Sequence, residues 1–298
     1  MRSVIGTYRN GNYNVAILSD GTKIRSCKED KMIPAFPESM DIKISNKCDR
    51  NCPYCHENSK PDGKHGKIID VPFLDSLHPY TELAIGGGNP LEHPQLFEFL
   101  TYCKERKLIV SMTVNQVHFE KEFEYLKSLT ERKLIYGLGV SLVKSTPEFI
   151  NKIREIQNAV IHIINGIVDR DVINTLYDKG LKILILGYKE FRRGFNYHNG
   201  DTGTLIDIRK NWMYDNIEDV ITHIDVVSFD NLAIKQLDVR RIMSEQDFQH
   251  FYMGDDGQFT MYVDTVKSEF AVSSTSNIRH RYTNESVEEM FKIVREDK

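Results

Sequence analysis

Three of the chain's five cysteines crowd into one short stretch, CDRNCPYCHENS, as Cys48-x3-Cys52-x2-Cys55. Clustered thiols of this kind point to metal binding, because a disulfide framework needs cysteines paired across a secreted fold. A free cysteine is often just a small buried hydrophobe. That reading suits Cys103, on an apolar helix face, and Cys27, at the end of a hairpin strand. It does not suit a polar loop broken by Pro53. Zinc would need a fourth ligand from His56, His65 or Cys27, and His56 adjoins Cys55, an awkward position for chelating the same ion. Iron–sulfur chemistry explains the count better. Four thiolates fill a 4Fe–4S cube, so three leave one iron open to a substrate or cofactor.

A second stretch, AIGGGNPLEHP, places three glycines after an apolar run. Glycines there let the backbone approach a ligand closely or take positive φ. The spacing matches neither a dinucleotide fingerprint nor a P-loop. Asn115 and Ser141 end later apolar runs, where capping or turn roles compete with ligand binding. GYKEFRRG brings Lys189, Glu190, Arg192 and Arg193 together, either as a solvated loop or as a cationic patch for an anionic group. His78, His162 and His223 show no partner pattern and read as surface or satisfied core residues.

The elements that must position these residues alternate from Asp41 onward. DIKIS, ELAIGG, LIVSMTVN, IYGLGVSLV, AVIHIING and KILILGY read as strands, with helical segments between them such as PQLFEFLTYCKERK and PEFINKIREIQ. Leu96, Phe99, Leu100 and Cys103 share one helix face, and Phe149, Ile150, Ile153 and Ile156 another. Gly180 reads as the residue closing the helix DVINTLYDKG. Short helices and a last strand, HIDVVSF, follow. The first forty residues read as a β-meander with type I′ turns at Asn10-Gly11 and Asp20-Gly21. The tail offers a hairpin around GDDGQFTMYVD and a helix burying Val287, Met290, Phe291 and Val294.

This order predicts an α/β fold, a parallel sheet wound by right-handed crossovers into a partial barrel, with an open doubly wound sheet as the competitor. The expected division is an N-terminal meander over 1–39, a core over 40–230 and a C-terminal extension packed on the barrel over 231–298. In either arrangement ligands belong at the carboxyl ends of the strands. The cysteine loop follows the first core strand and the glycine turn the second, so the two should face each other.

Composition bounds the rest. The chain has 298 residues, 40% hydrophobic and 28% charged, and a net charge of −4, with no basic bias that would suggest nucleic acid. No apolar run approaches a membrane span, and the start shows no signal-peptide core. Free clustered thiols fit a reducing cytoplasm.

At CDRNCPYC the chain resembles the radical S-adenosylmethionine (radical SAM) superfamily, whose signature is this cysteine spacing with an aromatic residue, here Tyr54, before the third cysteine. The resemblance implies a partial (β/α)6 TIM-like barrel over about Asp41 to Asp230. It implies a 4Fe–4S cluster on Cys48, Cys52 and Cys55, with S-adenosylmethionine on the open iron through its amino and carboxylate groups. An electron from the cluster then cleaves the sulfonium to methionine and a 5′-deoxyadenosyl radical that abstracts hydrogen. The glycine stretch is similar to the family's Gly-Gly-Glu-Pro motif, as Gly87, Gly88, Asn89 and Pro90. Asn89 replaces the glutamate, keeping an acceptor oxygen but not the charge. The implied cofactor-binding set is Tyr54, Gly87, Gly88, Asn89, Asn115 and Ser141, with Gly166, Gly187 and Tyr188 bordering the adenine. An electron donor such as flavodoxin or ferredoxin is implied as a partner. No catalytic side chain is singled out, and the substrate stays open between a peptide, a small molecule and a partner protein. With no C-terminal cysteines, an auxiliary cluster is not expected. The alternative is a non-catalytic 4Fe–4S or zinc module with a regulatory role.

Overall fold

The computed structural model describes residues 3–297, so the outermost residues of both terminal segments lie outside the described residues. The N-terminal segment forms an antiparallel sheet of β1 (Val4–Asn10), β2 (Tyr13–Leu18) and β3 (Lys23–Cys27). Its turns differ from expectation. Asn10 pairs with Tyr13, so Gly11 and Asn12 form the tip, and of these only Gly11 has positive φ, +58°. That fits a type II′ turn, since type I′ demands positive φ at both positions. At the second turn the Leu18 N–H donates to the Thr22 carbonyl at 2.9 Å, which makes a longer loop with Gly21 at φ +88°.

Glu38 decides where this sheet sits. Its buried carboxylate accepts from Arg25 Nε and Nη2, each at 2.9 Å, and from the Tyr13 hydroxyl at 2.6 Å. Glu38 immediately precedes β4 (Ser39–Ser45), whose far end leads into the cysteine loop. The meander is therefore tied to the amino end of β4, away from the cysteines.

The main sheet runs in chain order: β4, β5 (Glu82–Gly87), β6 (Ile109–Asn115), β7 (Gly137–Ser141), β8 (Ala159–Ile164), β9 (Lys182–Leu186) and β10 (Val226–Phe229). Every neighbouring pair in this run is parallel. Burial alternates along the strands. Met40, Ile42, Ile44, Leu83, Ile85, Val110, Met112, Ile161 and Ile183 are buried in one apolar core with Leu96, Phe99, Leu126, Phe149, Ile153 and Ile217 from the crossover helices. The intervening residues include Asp41, Ser111, Thr113, Asn115, Ser141 and His162, all exposed or half-buried. A parallel sheet covered on both faces reads as continuous apolar runs. The alternation here means that helices cover one face while the other lines the open inside of a partial barrel.

Three features depart from the sequence reading. Residues 203–222, expected as short helices, form one helix of 20 residues, Gly203–Thr222, burying Ile206, Met213, Ile217 and Val220. The helix before β9 is only Arg170–Asn174, and Gly180, at φ +67°, lies beyond its cap at Thr175. The C-terminal strand β11 (Thr260–Asp264) pairs parallel with β4, Asp264 standing opposite Lys43. Two short antiparallel strands, β12 (Glu269–Ala271) and β13 (His280–Arg281), then complete that edge. The final helix, Val287–Glu296, is capped by Ser286 and Glu289 in a capping box and buries Val287, Met290, Phe291 and Val294 as expected.

Cys103 is fully buried in the helix Leu96–Glu105, and burial pushes its thiol up to about 12. Replacing it with alanine should cost ~1 kcal/mol, the scale of one small buried group, in a urea melt.

Candidate metal centre

The cysteine loop is a pinched loop on the carboxyl end of β4. Its stem is closed by main-chain bonds: Cys48 N–H to Lys60 O at 2.8 Å, Lys60 N–H to Asn46 O at 3.0 Å and Asn46 N–H to Lys64 O at 2.7 Å. Inside the pinch, Cys55 N–H donates to Cys52 O at 3.2 Å and Asn58 N–H to Cys55 O at 3.1 Å. Asn51 and Asn58 take φ of +43° and +53°, a conformation that asparagine tolerates better than most residues. The loop can turn this tightly because its positive-φ positions carry suitable side chains.

The glycine turn docks on that stem. Gly88 N–H donates to Ser45 O and Asn89 N–H to Lys47 O, both at 2.7 Å. The expected juxtaposition of the two motifs is therefore a direct main-chain contact. Asn89 is buried and caps the short helix Pro90–Glu92, its Oδ1 accepting from Leu91 N–H at 3.2 Å while Nδ2 donates to Glu92 Oε1 at 3.2 Å. Its amide thus serves its own turn. Glu92, not singled out from the sequence, supplies a carboxylate nearby and pairs with Lys47 at 3.3 Å.

Farther round the barrel mouth, Asn115 and Ser141 pair in register between β6 and β7, and Ser141 pairs in turn with His162 on β8. Asn115 caps the helix Gln116–Lys121 through Oδ1 to Val117 N–H at 3.0 Å. Gly187 N–H donates to Asp230 at 2.9 Å, Tyr188 is buried with its hydroxyl on Gly194 O at 2.8 Å, and Gly166 has φ +91°.

The basic stretch after β9 has a role that neither sequence reading foresaw. Arg193 donates to Asn51 Oδ1 and, at 2.7 Å, to Ser59 O; Arg192 donates to His56 O at 3.3 Å and Glu57 O at 3.2 Å. Both arginines clamp the cysteine loop from across the mouth, and Arg192 holds φ of +51° to do so. Tyr54 faces Tyr197 with ring centroids 5.9 Å apart, and burial pushes its hydroxyl up to about 12. His118 adds a strap from the far side, its Nε2 lying 2.6 Å from Asp49 Oδ1. That hydrogen bond holds the Asp49 carboxyl below its usual range.

The three loop thiols are free and half-buried. Burial raises both Cys48 and Cys52, and the neighbouring Cys55 sulfur raises them further. Bound metal reverses such a shift, since coordination takes the thiolate. Among the described residues no three His, Cys, Asp or Glu side chains are gathered to share a single metal ion. In a cube each thiolate binds a different iron, which asks for a wider triangle than one ion does. Three free thiols on one clamped loop, at the open end of the barrel, fit such a group as a donor set.

His162 lies on the concave face with its ring over Gly139. A Cβ at Gly139 would fall 2.3 Å from the ring's Cε1, so only glycine leaves the ring this place. Burial lowers its pKa from 6.5 to about 4. Folded His162 therefore stays neutral while the unfolded chain takes up a proton as pH falls through 6.5. Stability should drop from about pH 6.5 towards pH 4, by on the order of 2–3 kcal/mol from this residue. Urea melts at pH 7 and pH 4 should show a smaller drop in His162→Gln than in the wild type.

No family model matches the chain. Over 90 residues it is 28% identical to a probable GTP 3′,8-cyclase of Methanococcus maripaludis, a match covering 28% of this chain and 30% of that protein. Streptococcus suis SuiB bound to S-adenosylmethionine shares the fold at a TM-score of 0.57 and 12% identity, over 88% of this chain and 68% of that one. SuiB bound to precursor peptide SuiA gives a TM-score of 0.56 and 15% identity, over 84% and 63%. The fold is that of the radical SAM partial barrel. In cysteine motif, fold and local sequence, the chain resembles the radical SAM superfamily. Among the described residues, no helix is long and apolar enough to cross a membrane.

Proposed function

We propose that the chain is a radical SAM enzyme, with Cys48, Cys52 and Cys55 holding a 4Fe–4S cluster and the glycine turn and barrel mouth holding S-adenosylmethionine. One observation carries the reading: the cysteine loop and the glycine turn, 31 residues apart from Cys55 to Gly86, meet through main-chain bonds at the carboxyl ends of adjacent parallel strands. When bound, the reduced cluster supplies the electron that cleaves S-adenosylmethionine to methionine and a 5′-deoxyadenosyl radical, which abstracts hydrogen from substrate.

The chain's own share is placement. Gly87 and Gly88 keep the turn flat against the loop stem and leave its carbonyls for the cofactor's ammonium group. The Asn115 amide nitrogen and the Ser141 hydroxyl, adjacent in register, offer donors to its ribose or carboxylate. Tyr54 flanks the cluster side. The substrate enters over the concave face between Asp41, Ser111, Thr113 and His162, where the sheet carries polar side chains instead of a second helical layer. Enclosure on that face limits water around a radical. A flavodoxin- or ferredoxin-like donor delivers the electron, and the free thiols suit a reducing cytoplasm.

Anaerobic reconstitution with iron and sulfide, then dithionite and S-adenosylmethionine, tests this. The expected product is 5′-deoxyadenosine. A reducible cluster that neither changes spectrum with S-adenosylmethionine nor cleaves it would favour the passive metal module instead.

A further inference from the structure

We infer that Glu57 is a positioning residue that locks the cysteine loop to β4 and β11, making the C-terminal strand part of the metal centre. The functional meaning rests on the cluster reading above; the geometry does not.

Glu57 follows Cys55 by two residues and is only 7% exposed. Its carboxylate meets Lys43 Nζ of β4 at 2.8 Å and the Tyr262 hydroxyl of β11 at 3.2 Å. Arg192 Nη1, from the loop after β9, lies 3.6 Å away, and the His56 ring 3.5 Å. One carboxylate thus ties the loop to the strand that leads into it and to two segments more than a hundred residues later in the chain. A buried charge is stable only when paired and hydrogen-bonded, so these partners hold the Glu57 carboxylate, and with it the loop, in place.

A simpler account is that Glu57 exists to neutralise Lys43. Asp264 already does so, 3.3 Å from Lys43 Nζ and opposite it in the β4–β11 register. The second carboxylate is needed by the loop. Without it, the segment from Asn51 to Asn58 keeps its turn bonds, the two arginines and the contact of Tyr54 with Tyr197.

The test uses the full-length, metal-free chain under anaerobic conditions, with alkylation of each cysteine followed by mass spectrometry. Cys27, half-buried in the N-terminal sheet, is the internal reference. In Glu57→Gln the Cys52 and Cys55 thiols should react roughly tenfold faster than in the wild type, the scale set by one lost charged hydrogen bond, with Cys27 unchanged. Tyr262→Phe, which alters only β11, should raise the same two rates by a smaller factor. After reconstitution, the reduced-cluster paramagnetic resonance signal of Glu57→Gln should shift from the wild-type signal, which a purely structural role elsewhere would not produce.

A folded Glu57→Gln, judged by circular dichroism, with wild-type rates at all three loop thiols overturns the inference. If Glu57→Gln fails to fold, Tyr262→Phe decides, and unchanged Cys52 and Cys55 rates overturn it. A wild-type chain that takes up no cluster, while Glu57→Gln still frees the thiols, removes the cluster reading and leaves the anchor standing.

Discussion

Alanine in place of Cys48, Cys52 or Cys55 is expected to abolish a stable, reducible cluster and all cleavage of S-adenosylmethionine, while Cys27→Ala and Cys103→Ala retain both. Three thiolates are the minimum around a cube with one open iron, so no loop ligand is redundant. The two other cysteines cannot substitute. Cys103 is sealed in the helix-packed core, and Cys27 lies in β3, in the sheet tied to the amino end of β4. Iron and sulfide analysis after anaerobic reconstitution, with paramagnetic resonance of the reduced protein, measures the outcome. Each single variant should also keep the wild-type urea midpoint in the metal-free state. All three thiols are half-buried and none is sealed in the apolar core, so their removal takes little from the apo fold. A triple alanine variant that still holds a reducible cluster would defeat the assignment.

The contrast between legible and illegible parts of this site follows from distance along the chain. The cysteine loop was legible because its ligands lie within one turn-rich stretch, and the barrel because each strand and helix announces itself in local periodicity. The N-terminal turn was misplaced for a tertiary reason. Asn10 looks like a turn residue, yet it is buried, donating to Phe36 O at 2.9 Å and accepting from Ala35 N–H at 2.7 Å, so the tip falls on Gly11 and Asn12.

The same applies to Arg192 and Arg193. Their sequence context offers only charge, and charge alone suggested solvent or an anion. Their actual partners are main-chain carbonyls and an amide more than a hundred residues earlier. Lys43 did leave a trace, as a charged residue at an inward position of an apolar strand. Its partners Glu57 and Asp264 could not be chosen without knowing that β11 joins β4. The glycine turn lies between these cases: its position and its positive φ, +107° at Gly87, were legible, but the reason for Gly88, its packing on the loop stem, was not.

That reason gives the second large effect, separating Gly88 from its neighbour Gly86. A Cβ at Gly88 would fall 2.2 Å from Lys47 O, 2.8 Å from Lys47 C and 2.9 Å from Lys47 N, all main-chain atoms of the loop stem. Main chain held in a closed stem cannot move aside cheaply. Gly88→Ala should therefore break the paired 2.7 Å bonds from Gly88 and Asn89 to Ser45 and Lys47. The expected loss is roughly 2 kcal/mol or more in a urea melt, from two stranded main-chain bonds plus strain. A Cβ at Gly86 meets nothing within 4 Å, and this glycine has no positive φ. Gly86→Ala should hold or gain about 0.5 kcal/mol, because alanine leaves less backbone freedom to lose on folding. The cofactor experiment should follow the same order, with Gly88→Ala dulling the spectral response of the reduced cluster to S-adenosylmethionine. Crowding of the cofactor alone would also dull that response, but it would leave the metal-free chain as stable as the wild type. Equal urea midpoints for Gly88→Ala and Gly86→Ala would mean that the turn does not hold the loop stem, and that its glycines serve the ligand alone.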